Sequence, residues 1–192
     1  MHAAKLRGNA ENQRGRAVES YRTVFEVIDM RSFSNLWYWI ALAVVWSSAS
    51  HWVLGVPWDL VQRAMRKGGQ AEADFNDITR INVNRILYIA DMSGLWLIGF
   101  ASFFLTSILV LGWYFWIEFC QAIFMIAFPM SLVGGLSIRT ARKVDASGIQ
   151  GEDLYKKLRR QRLITQVIGM ISIFVTSIWG MYLNLSVGAL GS

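Results

Sequence analysis

From Ser93 to Ile138 the chain runs 46 residues with one formally charged side chain, Glu118, and no Lys or Arg. A bilayer core takes about 20 apolar residues per helix, so the stretch is long enough for two crossings. Lipid rather than water is therefore the solvent that sets the rules. Composition agrees: 54% of the residues are apolar and only 17% charged, a shift toward membrane proteins.

Four apolar segments emerge, at about 36–56, 94–111, 116–136 and 163–187. The expected fold class is all-α: a polytopic membrane protein of about four apolar helices, with amphipathic cytoplasmic or interfacial helices beside them. The first segment, Leu36 to Val56, is long enough to cross but carries Ser47, Ser48, Ser50 and His51 in its second half. It either crosses or re-enters. Gly112 to Phe115 forms so short a turn that the second and third segments are antiparallel neighbours. Pro129 lies inside the third and is expected to kink it near Met125 to Phe128, because proline removes a backbone donor. Gly134 and Gly135 would let another backbone approach.

The polar connections carry helical signals of their own. Asp59 to Lys67 is amphipathic and stops at Gly68-Gly69. A second pattern from Phe75 continues toward the next apolar segment, which predicts a long helix projecting from the membrane. Asp145 to Gly151 is a loop. Glu152 and Asp153 then open a helix, with Lys156 and Lys157 each four residues on. At the start, residues 1–16 form a basic tail expected to be disordered, and polar residues stand where a signal peptide would have its apolar core. Residues 17–192 are taken as one helical bundle, opening with a short amphipathic surface helix (Val18, Tyr21, Phe25, Ile28). Six tryptophans near segment ends (Trp37, Trp39, Trp52, Trp58, Trp113 and Trp116) suit the headgroup region.

The 19 basic residues avoid the apolar segments. Six precede Leu36, five lie between Pro57 and Met92, eight between Arg139 and Arg162, and none follows. Such flanking clusters orient a membrane protein and touch anionic lipid; they do not indicate a nucleic-acid partner. The positive-inside bias puts 57–92 and 139–162 in the cytoplasm. The side of the N-terminus then depends on whether the first segment crosses.

Chemistry-bearing candidates are few. His51 and Glu118 are polar groups within apolar segments, and an ionisable group at membrane depth is a functional hypothesis by default. Their plainer interpretation is an interfacial position near a segment end. Gly169, Ser172, Thr176 and Gly180 form a small-residue stripe that suits close helix packing, inside the bundle or in a dimer. Lys156, Lys157, Arg159, Arg160 and Arg162 form a basic surface for lipid or a partner. Cys120 is the one cysteine, and a single thiol cannot hold a metal cluster. No catalytic, cofactor or metal motif is legible, which points away from an enzyme.

Two stretches, Tyr21–Trp39 (YRTVFEVIDMRSFSNLWYW) and Trp46–Pro57 (WSSASHWVLGVP), resemble a family of alphaproteobacterial integral membrane proteins. Some members are labelled as a component of the Suf iron–sulfur assembly complex. The resemblance extends from about Tyr21 onward and implies a multi-pass protein of the bacterial inner membrane, with a link to cluster assembly.

The expected role is a non-catalytic scaffold, anchor or accessory subunit of a larger membrane complex. Its partners would be the bilayer, anionic lipid included, and a membrane protein or a second copy of itself. The alternative is a small transporter or channel subunit with Glu118 and His51 on its path.

Overall fold

The computed structural model describes Phe33 and residues 35–190. The expected tail at 1–16 and the surface helix after it lie outside the described residues. Five helices follow: α1 (Leu36–His51), α2 (Trp58–Lys67), α3 (Gln70–Trp113), α4 (Glu118–Ser147) and α5 (Gly151–Leu190). Between α1 and α2, strands β1 (Trp52–Val53) and β2 (Val56–Pro57) make a minimal antiparallel hairpin.

Three helices, α3, α4 and α5, are long and apolar enough to cross a membrane. The first apolar segment differs from the rest. Its helix stops at His51, short of the expected Val56, and covers 16 residues. That is about 24 Å at 1.5 Å per residue, against a hydrocarbon core of about 30 Å. The cause is local. Leu54 and Gly55 both take positive φ (53° and 73°), as the central pair of a type I′ hairpin loop does. The side chain of Asn82 donates to the Gly55 carbonyl at 3.0 Å and holds the loop against α3.

At the other end, Asn35 caps α1 by accepting from the Trp37 amide at 3.0 Å. Consecutive positive-φ glycines, Gly68 (φ 57°) and Gly69 (φ 56°), separate α2 from α3 as expected. α3 begins at Gln70, five residues before the expected start, and spans 44 residues, about 66 Å, with no break at Gly94. The expected loop at Asp145–Gly151 is shorter: α4 reaches Ser147 and ends on left-handed Gly148. α4 also runs unbroken through Pro129.

Charge divides the molecule into two ends. From Asp59 onward, every Asp, Glu, Lys and Arg except Glu118 falls within 59–91 or 139–162. Those segments fold together into a cap with a hydrophobic core of its own. Val56, Trp58 and Val61 meet Phe75 and Val83 of α3, Val144 of α4, and Leu154 and Leu158 of α5. Each connection is only sparsely apolar, but together they bury a continuous cluster. Trp58 is buried here and stacks on Tyr155, so it is a core residue and not the interfacial anchor the sequence suggests.

The apolar half is packed differently. Its core is small, built on Leu42, Trp46 and Val133. The α5 span is the most enclosed of the three and the α3 span the least. Large side chains such as Leu95, Trp96, Phe100 and Phe103 point outward from α3, as lipid-facing residues do.

Candidate functional site

Glu118 is the first residue of α4 and lies at the end of the molecule opposite the cap. A carboxylate there is favoured by the unpaired amides of a helix N-terminus. One oxygen also accepts from the backbone amide of Phe33 at 2.8 Å. The Phe33 carbonyl in turn accepts from Trp39 Nε1 at 3.1 Å. Glu118 thus ties the entry of α1 to the start of α4.

His51 is the last residue of α1, at the cap. Its Nε2 lies 3.5 Å from a carboxylate oxygen of Asp59, and both side chains are at least half exposed. The ring meets Trp52 edge-on. His51 and Glu118 therefore sit at opposite ends of α1, separated by about the 24 Å length of that helix. Cys120 is half-buried in the first turn of α4. Among the described residues, no group of three or more His, Cys, Asp and Glu side chains is placed to hold a metal ion.

The small-residue stripe of α5 faces the inside of the bundle. A Cβ on Gly169 would lie 2.7 Å from the ring of Trp46, and one on Gly180 would lie 3.2 Å from Phe33. Ser172 donates to the Met125 carbonyl of α4 at 3.1 Å. Thr176, fully buried, donates back to the Ser172 carbonyl at 2.7 Å. By contrast, nothing among the described residues lies within 4 Å of a Cβ placed on Gly134 or Gly135, so no described backbone uses the approach they offer.

Gln121, fully buried, is a cross-link that the sequence reading missed. Gln121 donates to the Gly112 carbonyl at 2.7 Å and accepts from Trp179 Nε1 at 3.0 Å. A single amide thereby joins the ends of α3, α4 and α5. The only local signal was a lone Gln in an uncharged run, with both partners distant in sequence.

The five basic residues of 156–162 do not form one surface. Lys156 pairs with Glu152 at 3.0 Å and Asp153 at 3.9 Å, so the expected Asp153–Lys157 pair is absent among the described residues. Arg159 points to solvent. Arg162 turns inward, stacks 4.5 Å over the Trp58 ring and donates from Nε to the Ser50 carbonyl at 3.2 Å. It closes the C-terminal end of α1 onto the cap and is not available as a lipid-facing cation.

Lys157 and Arg160 face a groove of about 290 Å³ between α4 and α5, and Arg139 and Lys143 line its other wall. Thr140 donates to Gln161 at 2.8 Å at its base and fixes the register of the two helices. No acidic side chain lines it among the described residues. In the sequence Arg139 and Lys143 carry only the charge bias that orients the chain, and nothing in their own segment pairs them with α5. No family model, curated protein or solved structure matches this chain.

Proposed function

We propose that the chain is a non-catalytic anchor or assembly subunit of a larger complex in a bacterial cytoplasmic membrane. The observation that carries this proposal is the cap. Its core draws on four helices and the hairpin, and three of those helices continue from it into the apolar half. Loose loops would suffice to connect membrane spans. A packed cap rising on continuous helices instead presents a fixed surface to a partner.

In this layout α1 is a fourth crossing. The approach of Phe33 to Gly180 and of Trp46 to Gly169 supports this crossing, since α1 and its entry then run beside about 16 Å of α5. A helix a few Å short of the hydrocarbon thickness is accommodated by local thinning at modest cost. Thirteen of the 19 basic residues lie between Pro57 and Arg162, which favours a cytoplasmic cap. Phe33 and the turn before Glu118 then face the opposite side. The resemblance over Tyr21–Trp39 and Trp46–Pro57 supports the bacterial inner membrane as the location.

The test is a photo-crosslinking residue placed in turn at the exposed cap positions Arg63, Arg85 and Arg159 in living cells. A discrete adduct with a different polypeptide is expected from at least one. Adducts only with lipid or with further copies of the chain, from every position, would contradict the anchor role.

A further inference from the structure

The groove between α4 and α5 lies where charge ends on both helices. Ile138 closes the uncharged run of α4 and Arg139 follows it; Arg162 is the last charge of α5 and Leu163 follows it. For a chain that crosses a bilayer, this boundary is the depth of the lipid headgroups. At that depth Arg139, Lys143, Lys157 and Arg160 line one concavity, with Leu136 and Ile164 completing it on the apolar side.

Other basic side chains near it have partners. Arg142 reaches Asp91 at 3.4 Å, Lys156 has Glu152, and Arg162 has Trp58 and Ser50. The four groove cations form no ion pair with any described residue. Like charges brought together repel, so the arrangement calls for an anion to offset them.

We propose that this groove is a binding site for one anionic glycerophospholipid of the cap-side leaflet. Its phosphate sits among Arg139, Lys143, Lys157 and Arg160, and an acyl chain descends over Leu136 and Ile164. Basic pockets between membrane helices recognise anionic headgroups through this combination of charge and depth. The apolar side of the groove favours a lipid over a soluble phosphate or an acidic peptide, because neither has a hydrocarbon tail to lay along it. Arginine and lysine divide the work: Arg forks can bind phosphate oxygens in pairs, whereas Lys acts as a point charge. The proposal rests on the membrane placement of the chain but not on its having a protein partner.

The experiment uses the full chain in nanodiscs of phosphatidylcholine containing a minor fraction of phosphatidylglycerol. Lipids retained on release are counted by native mass spectrometry. The wild type should keep one phosphatidylglycerol in preference to phosphatidylcholine. The Lys143→Gln/Lys157→Gln variant should lose that preference by roughly thirtyfold, as expected for two cations near a phosphate. The Arg63→Gln/Lys67→Gln variant removes the same charge from α2 and should change it less than about twofold.

Equal losses in both variants would mean diffuse attraction and would overturn the site, as would a wild type with no preference. Inorganic phosphate or polyglutamate displacing the lipid as well as short-chain phosphatidylglycerol does would give the groove to a soluble anion or an acidic protein instead. Should the groove variant fail to insert, salt titration of the wild type decides. Retention should fall as ionic strength rises, and salt-independent retention would contradict an electrostatic site. Because only purified chain and lipid are present, the result is independent of the crosslinking experiment above.

Discussion

The hydroxyl of Ser172 on α5 donates to the carbonyl of Met125 on α4 at 3.1 Å. Met125 lies four residues before Pro129, and proline has no N–H to return to the carbonyl four residues earlier. The bond the proline removes is thus replaced from a neighbouring helix. In lipid an unpaired backbone carbonyl has no water to turn to, which makes such replacement the usual condition for proline in a spanning helix.

Removing that hydroxyl should therefore matter only while the proline is present. Ser172→Ala is expected to cost about 0.5–1.5 kcal/mol, the range of single interhelical hydrogen bonds. In a Pro129→Ala background, residue 129 regains its amide and the same change should cost close to nothing. A double-mutant cycle read by unfolding in mixed micelles measures the coupling; additive effects would refute the compensation.

Glycine serves two different ends along α4 and α5. Gly169→Ala would place a methyl 2.7 Å from the Trp46 ring, and overpacking of this kind costs about 1–3 kcal/mol. Gly134→Ala meets nothing within 4 Å among the described residues and should be neutral or gain up to about 1 kcal/mol from helix propensity. Thermal unfolding of the two variants in detergent should rank them in that order.

Gln121 is the cross-tie at the end opposite the cap. Gln121→Ala leaves the Gly112 carbonyl and the Trp179 indole without their partner. Leaving a buried polar group unsatisfied costs about 1–3 kcal/mol. Tryptophan emission should also shift, because Trp179 loses its acceptor. An unchanged spectrum and unchanged stability would mean the amide does not link the three helices.

Periodicity and charge made the long helices legible, because a spanning segment is a local property. α3 continues past Gly94 as the absence of turn signals implied, and the Gly68-Gly69 stop falls where its residues suggested. The cap was not legible. Phe75 reads as one position of an amphipathic helix, Val144 and Leu158 as apolar residues in polar connections, and only tertiary packing joins them.

The basic run failed as a single surface for a geometric reason. Successive residues on an α-helix turn by about 100°, so 156–162 sweeps the whole circumference. Lys156 goes to its own acids, Arg162 goes inward, and Lys157 and Arg160 go to the groove. The partners Arg139 and Lys143 lie across an antiparallel pair, a relationship no single segment carries.

Arg162 and Arg159 lie three residues apart on α5 and should behave oppositely. Arg162→Gln removes a guanidinium stacked on Trp58 and bonded to the Ser50 carbonyl, with an expected loss of about 1–2 kcal/mol. Arg159→Gln should stay within about 0.5 kcal/mol, as exposed positions do. Limited proteolysis at the hairpin is a second readout: cleavage near Gly55 should accelerate in the first variant alone.

The layout of α1 against the cap is tested most directly by labelling with a membrane-impermeant maleimide. In a Cys120→Ser background, Asn35→Cys and Ser147→Cys would be labelled in intact and in inverted membrane vesicles. Asn35→Cys should react from one face only and Ser147→Cys only from the other. Reaction of both from the same face would mean that α1 does not cross, and the four-crossing arrangement would fall with it.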